Sequence, residues 1–126
     1  MNTEDAEAIL DGHPQLTALP VNARRTPTSY TSGYETPSGR HLVLDRRGSK
    51  GFARIFVENK IDPGILILSA ASRHEHYGPN RSRVGIERAS KRLAGPKDGN
   101  PGTDAICFWL DCEKDIRSLL QTYLNS

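Results

Sequence analysis

The densest chemistry in the chain lies between Ser72 and Lys97, SRHEHYGPNRSRVGIERASKRLAGPK. Seven bases (Arg73, Arg81, Arg83, Arg88, Lys91, Arg92 and Lys97) stand there against two acids, with His74, His76, Tyr77 and Asn80 among them. Arginine predominates, and its planar fork of donors binds phosphate or a guanine edge at two points at once. A loop holding Arg73, Asn80 and Arg81 leads into a predicted helix with Arg83, Arg88, Lys91 and Arg92. Loop groups and helix amides together have the chemistry to grip a phosphate backbone. A second cluster, Arg46, Arg47 and Lys50, falls in the turn sequence RRGSKG, whose glycines are free to take positive φ. Both clusters point to a polyanionic partner: nucleic acid, and DNA in the first instance.

A different chemistry is offered by the acids. Asp45 is followed, after twelve residues, by Glu58-Asn59-Lys60, which reads D-x(n)-E-x-K. Two carboxylates at the ends of adjacent strands can hold Mg²⁺ while a lysine orients the attacking water. This spacing resembles the PD-(D/E)xK nucleases. The resemblance implies Mg²⁺-dependent cleavage of a phosphodiester, with Asp45 and Glu58 as ligands and Lys60 at the water. Outside that alternative no cofactor is expected. His74-Glu75-His76-Tyr77 holds a base and an acid of the kind a metal-free RNase uses, or half of a metal site. Spacing marks no third ligand. Trp109 is either core or a stacking platform for a base. No glycine-rich nucleotide loop and no GxSxG elbow is present.

Charge distribution carries the first reading. The 126 residues have a net charge of only +2. Residues 1–23 hold four acids and no Lys or Arg, residues 24–97 hold fifteen bases and six acids, and residues 98–126 hold two bases and five acids. A basic middle between acidic ends suggests an acidic partner. A protein whose acidic face docks on the basic one is the remaining alternative. Self-association, with residues 1–23 of one chain against 24–97 of another, or membership of a larger complex, follows from the same asymmetry.

Composition sets the frame. Hydrophobic residues make up 36%, charged residues 25%, and mean hydropathy is -0.57. No apolar stretch, Ile65–Leu68 included, approaches the ~20 residues of a membrane span. The first residues are acidic, with no apolar core of a signal peptide. Cys107 and Cys112 lack metal-site spacing, so a reduced cytoplasmic protein is expected.

The elements that must position these residues form a small α+β fold. A short helix is predicted over residues 3–11. Residues 1–39 otherwise read as a loosely structured arm rich in Pro, Ser and Thr, and residues 40–126 as the compact domain. Strands are expected at His41–Asp45, Phe52–Glu58, Ile65–Ser69 and Ile106–Leu110. Ile65–Ser69 is apolar on both faces and is therefore expected to be central. Residues 70–82 and 95–104 read as loops and residues 83–94 as a helix. Asp111 is the expected N-cap of a final amphipathic helix on which Ile116, Leu119, Leu120, Tyr123 and Leu124 share one face. The result is an antiparallel or mixed sheet of about four strands, with the last helix packed on one face.

Overall fold

A computed structural model describes residues 1–26 and 28–126. The chain builds α1 (Thr3–Asp11), β1 (Thr17–Ala18), β2 (Thr31–Glu35), β3 (His41–Ser49), β4 (Phe52–Glu58), β5 (Arg73–Tyr77), α2 (Ile86–Ala89), β6 (Ala105–Leu110) and α3 (Glu113–Leu124). Short 3-10 turns add Pro20–Arg24, Pro63–Ile65 and Lys91–Leu93. The strands form one antiparallel sheet in the order β1-β2-β3-β4-β6-β5.

Side-chain alternation splits the core into two layers. Leu42, Leu44, Ala53, Ile55, Val57, Ile106, Phe108 and Leu110 face α1 and α3, where Ala6, Leu10, Ile116, Leu119, Leu120 and Tyr123 complete the cluster. Val43, Phe56, Ala105, Cys107 and Trp109 face the other way, against Tyr77, Ile86, Ala89 and Leu93. The sheet is thus covered on both sides. The fold is a small α+β protein with a C-terminal helix on one face, as expected, and with six strands in place of about four.

The doubly buried strand is β6, AICFWL, in which all six residues are buried. Ile65–Ser69 is not a strand. After the turn at Pro63 it runs extended, with Leu66 and Leu68 turned to the core and Ile65 and Ile67 left 64% and 87% exposed. Its backbone is held by α3, since Ser69 N donates to the Asp115 carboxylate at 3.0 Å. A short apolar run has no periodicity that tells a central strand from a half-buried strap. The sixth strand is β5, RHEHY, within the expected loop at 70–82. It lies at the sheet edge, where charged side chains are the usual sequence.

The expected arm is also part of the fold. The boundary at residue 39 falls inside the β2–β3 hairpin, and Thr31, Ser32 and Tyr34 are buried. The acids of α1 order this segment. Asp11 accepts a hydrogen bond from Tyr34 Oη at 2.6 Å and pairs with Arg25 at 3.0 Å, while Glu7 lies 2.8 Å from Arg46 Nε. Close packing fixes β2 as well. A Cβ on Gly33 would stand 2.9 Å from both Ala89 O and a Leu19 methyl carbon. The expected helix over 83–94 is reduced to α2 and a 3-10 turn, because the chain turns extended at Ser90 (φ -154°, ψ 117°). At α3 the N-cap is Cys112, and no side chain caps the helix. Asp111 therefore does not fill that role.

Candidate nucleic-acid interface

The α2 side of the sheet carries most of the expected basic set, while Arg25 and Arg46 pair with α1 and Lys114 and Arg117 lie on α3. On β4, Arg54 shares the face of Phe56, and on β5, Arg73 shares the face of Tyr77. Arginines and aromatics interleave here. The Arg73 guanidinium lies 4.0 Å from the Trp109 ring centroid, Arg81 lies 3.7 Å from Tyr77, and Arg54 lies 5.0 to 5.9 Å from Phe56, Trp109 and Tyr77. Stacking of this kind holds a guanidinium flat against the ring and leaves its edge to solvent. Glu75 bridges two of them, pairing with Arg73 at 3.0 Å and with Arg81 at 2.8 Å. Beyond them, on the layer over the sheet, Arg88, Lys91 and Arg92 are exposed, and Arg24 joins Arg88 around one hollow. The other side of the sheet bears α1, whose four charged residues are all acidic.

The structure brings together Arg47, Arg73, Arg81, Arg88, Lys91 and Arg92 of the expected set. Arg47 reaches Asp45 from Nε at 3.0 Å and Nη2 at 3.1 Å, which turns it toward the α2 layer. Asn80 is exposed in the loop after β5, and Lys50 is exposed at the β3–β4 turn. Two residues leave the set. Arg46 points to the α1 side, donating to the Thr26 and Ser29 carbonyls and pairing with Glu7. Adjacent residues of a strand face opposite ways, so Arg46 and Arg47 cannot share a surface. Arg83 is 5% exposed, and its guanidinium donates to the carbonyls of Tyr77, Gly78, Leu93 and Thr103. It is the internal tie that holds the loop 78–103 together. Burial opposes its charge and lowers its pKa.

Arg54 belongs to this face and escaped the sequence reading, whereas Tyr77 is counted in the basic cluster. Arg54 sits in the apolar row FARIFVE, where strand alternation was the available signal. It donates to Asp45 at 3.0 Å and to Tyr77 Oη at 2.9 Å. Burial works against its charge, and the surrounding Cys107 and Tyr77 more than offset this, so its pKa is raised.

No family model, curated protein or solved structure matches the chain. The functional reading therefore stands on its own geometry.

That geometry does not assemble the Mg²⁺ site. Asp45 is fully buried, and its carboxylate accepts from Arg47 and Arg54 and from the Arg47 amide. Glu58 lies instead beside His41, four residues back along β3, or about 13 Å at the rise of a strand. Arg92 closes on it from Nε at 3.1 Å and Nη2 at 2.8 Å. Lys60 is exposed in the turn beyond β4. Both carboxylates are neutralised by arginine, and among the described residues no three metal-ligating side chains converge. His74 and His76 lie on the α3 side of β5, where His74 packs near Phe108 and His76 pairs with Asp104. Trp109 is 6% exposed beneath Arg73, so it is core and offers no free stacking face.

One further constellation was invisible in sequence. His41 Nδ1 lies 2.7 Å from Ser90 Oγ, and its Nε2 lies 3.1 Å from Glu35 Oε2. The order imitates a nucleophile, base and acid. Ser90, however, is 3% exposed, and the link serves to pin the end of α2 onto β3.

Proposed function

We propose that this protein binds nucleic acid, duplex DNA in the first instance, through the α2 side of its sheet. The observation that carries the reading is the sorting of charge. Arg47, Arg73, Arg81, Arg88, Lys91 and Arg92 all lie on one side, while the purely acidic α1 lies on the other. Such a field steers a polyanion to one face and holds it by counterion release. Duplex is favoured over single strand because the aromatic faces are already taken. Arg73 covers Trp109 and Arg81 covers Tyr77, so unpaired bases find no platform there, whereas the two exposed guanidiniums, each tied to Glu75 through one terminal nitrogen, keep further donors for phosphates.

On this reading Asp45 and Glu58 act by orienting arginines. Among the described residues no helix is long and apolar enough to cross a membrane. A cytoplasmic location is the companion proposal, supported by two free cysteines, Cys107 and Cys112.

The test is a pair of charge reversals measured by fluorescence anisotropy on a labelled duplex. Arg88→Glu with Lys91→Glu should weaken binding by roughly tenfold or more, and Lys114→Glu with Arg117→Glu on α3 should leave it within about twofold. Equal effects from both pairs would refute a specific face. Binding confined to single strands or to a protein partner would replace the reading.

A further inference from the structure

A hollow of about 360 Å³ opens on this face where β3, β4 and the loop before α2 meet, and three arginines, Arg47, Arg54 and Arg83, line it with a single carboxylate, Asp45. Among the described residues no carboxylate lies within 4.0 Å of Arg83; every partner of its guanidinium is a neutral carbonyl. A charge buried to 5% exposure with no carboxylate in contact is unusual, since buried charges are normally paired, and the longer-range attraction of Asp104 does not offset its burial. Asp45 cannot supply the balance. It is already committed to Arg47 and Arg54.

Donors also remain. Arg47 uses Nε and Nη2 on Asp45 and Val84 O, leaving its Nη1 group without a partner. Arg54 uses one hydrogen of each terminal nitrogen, on Asp45 and on Tyr77. Both guanidiniums are fixed, Arg54 by three aromatic rings and Arg47 by the main chain of Val84, so these donors are set before any ligand arrives.

We infer that this hollow is a binding site for a phosphomonoester group. Three cations and one anion leave about +2, which matches the charge of roughly −1.5 to −2 on a monoester and exceeds the single charge of a backbone diester. Val84, 71% exposed at the rim, is the apolar side chain open to the sugar or base that carries the phosphate, with Phe56 and Ile86 fully buried behind it. The inference rests on the reading of this face as a nucleic-acid surface, and its natural ligand there is a 5′-phosphorylated end. A free nucleotide presents the same chemistry.

The experiment has two arms on the full chain. Calorimetry with adenosine 5′-monophosphate and with adenosine should show the phosphorylated ligand binding at least roughly tenfold more tightly. Val84→Glu places a carboxylate at the rim, at a side chain 71% exposed, and should abolish that preference with an unchanged melting temperature. Val84→Gln should retain it. In the second arm a duplex with 5′-phosphates should bind more tightly than the same duplex with 5′-hydroxyls. Equal affinity for nucleotide and nucleoside, or an unaffected Val84→Glu protein, would overturn the inference. If the nucleotide binds and neither duplex does, the hollow stands as a nucleotide site and the nucleic-acid reading falls. If both duplexes bind equally and the nucleotide does not, the reverse holds.

Discussion

The Arg73 guanidinium carbon lies over the Trp109 ring, 4.0 Å from its centroid. This contact turns an aromatic that would otherwise offer a stacking surface into the support of a cation. Arg73→Ala should therefore weaken duplex binding and reduce the steepness of its salt dependence by about one unit of slope. It should also change Trp109 fluorescence, since this is the sole tryptophan. Arg73→Lys should recover the salt slope and fail to recover the fluorescence, because an ammonium does not stack as a guanidinium does. An Arg73→Ala protein with unaltered slope would remove this arginine from the interface.

Asp45 is fully buried between Arg47 and Arg54. Asp45→Ala strands two arginines around an uncompensated space. The cost expected from leaving these part-exposed arginines without their shared acceptor is about 1 to 3 kcal/mol. Urea unfolding should show a lower midpoint at constant slope. A loss below about 0.5 kcal/mol would mean that the three charges do not depend on one another.

The Glu58–Arg92 pair makes stability depend on acidity. Burial by itself would raise the Glu58 pKa. The Arg92 hydrogen bonds and the His41 amide outweigh it, and the net direction is down from 4.5. A carboxylate depressed in the folded state stabilises the fold above its unfolded pKa and loses that contribution as pH falls through the folded value. Asp115, held down by Ser72 and Ser69 against the effect of its burial, acts in the same sense. Denaturation midpoints should accordingly hold between neutrality and about pH 5 and fall on further acidification. Glu58→Gln should be less stable at neutral pH and flatter in that acid range. A variant with the parental pH profile would show that the pair contributes nothing.

The two cysteines should differ in reactivity. Cys107 is fully buried, and desolvation pushes its thiol up to about 12, so no reactive thiolate forms near neutrality. Cys112, at the start of α3, is only partly buried. A thiol reagent at pH 8 should titrate one group quickly, and the second should appear only with denaturant. Two fast groups would contradict the burial of β6.

Much of this arrangement was legible from the chain. The alternating row Ala53, Ile55 and Val57 in β4 and the helical spacing of Ile116, Leu119, Leu120 and Tyr123 are local signals, and each gave its element. The basic middle was equally plain as composition. What escaped depends on distant partners. Tyr34 and Ser32 look like arm residues until Asp11 and Glu7 of α1 close on them. RHEHY reads as loop because an edge strand needs little apolar content. The roles of the arginines divide by neighbours far away in sequence. Arg83 is consumed by carbonyls of residues 77 to 103, Arg46 by Glu7, and Arg92 is aimed by Glu58. The D-x(n)-E-x-K spacing failed for the same reason, because spacing does not reveal that each acid already has an arginine.

The central claim is that the α2 side of the sheet holds a duplex by its phosphates. The most direct test is the affinity of the protein for duplex DNA measured across a series of salt concentrations. With Arg47, Arg73, Arg81, Arg88, Lys91 and Arg92 at the backbone, log K should fall linearly with log salt, with a slope of about −5. Undetectable binding at low salt, or an affinity indifferent to salt, would contradict the account.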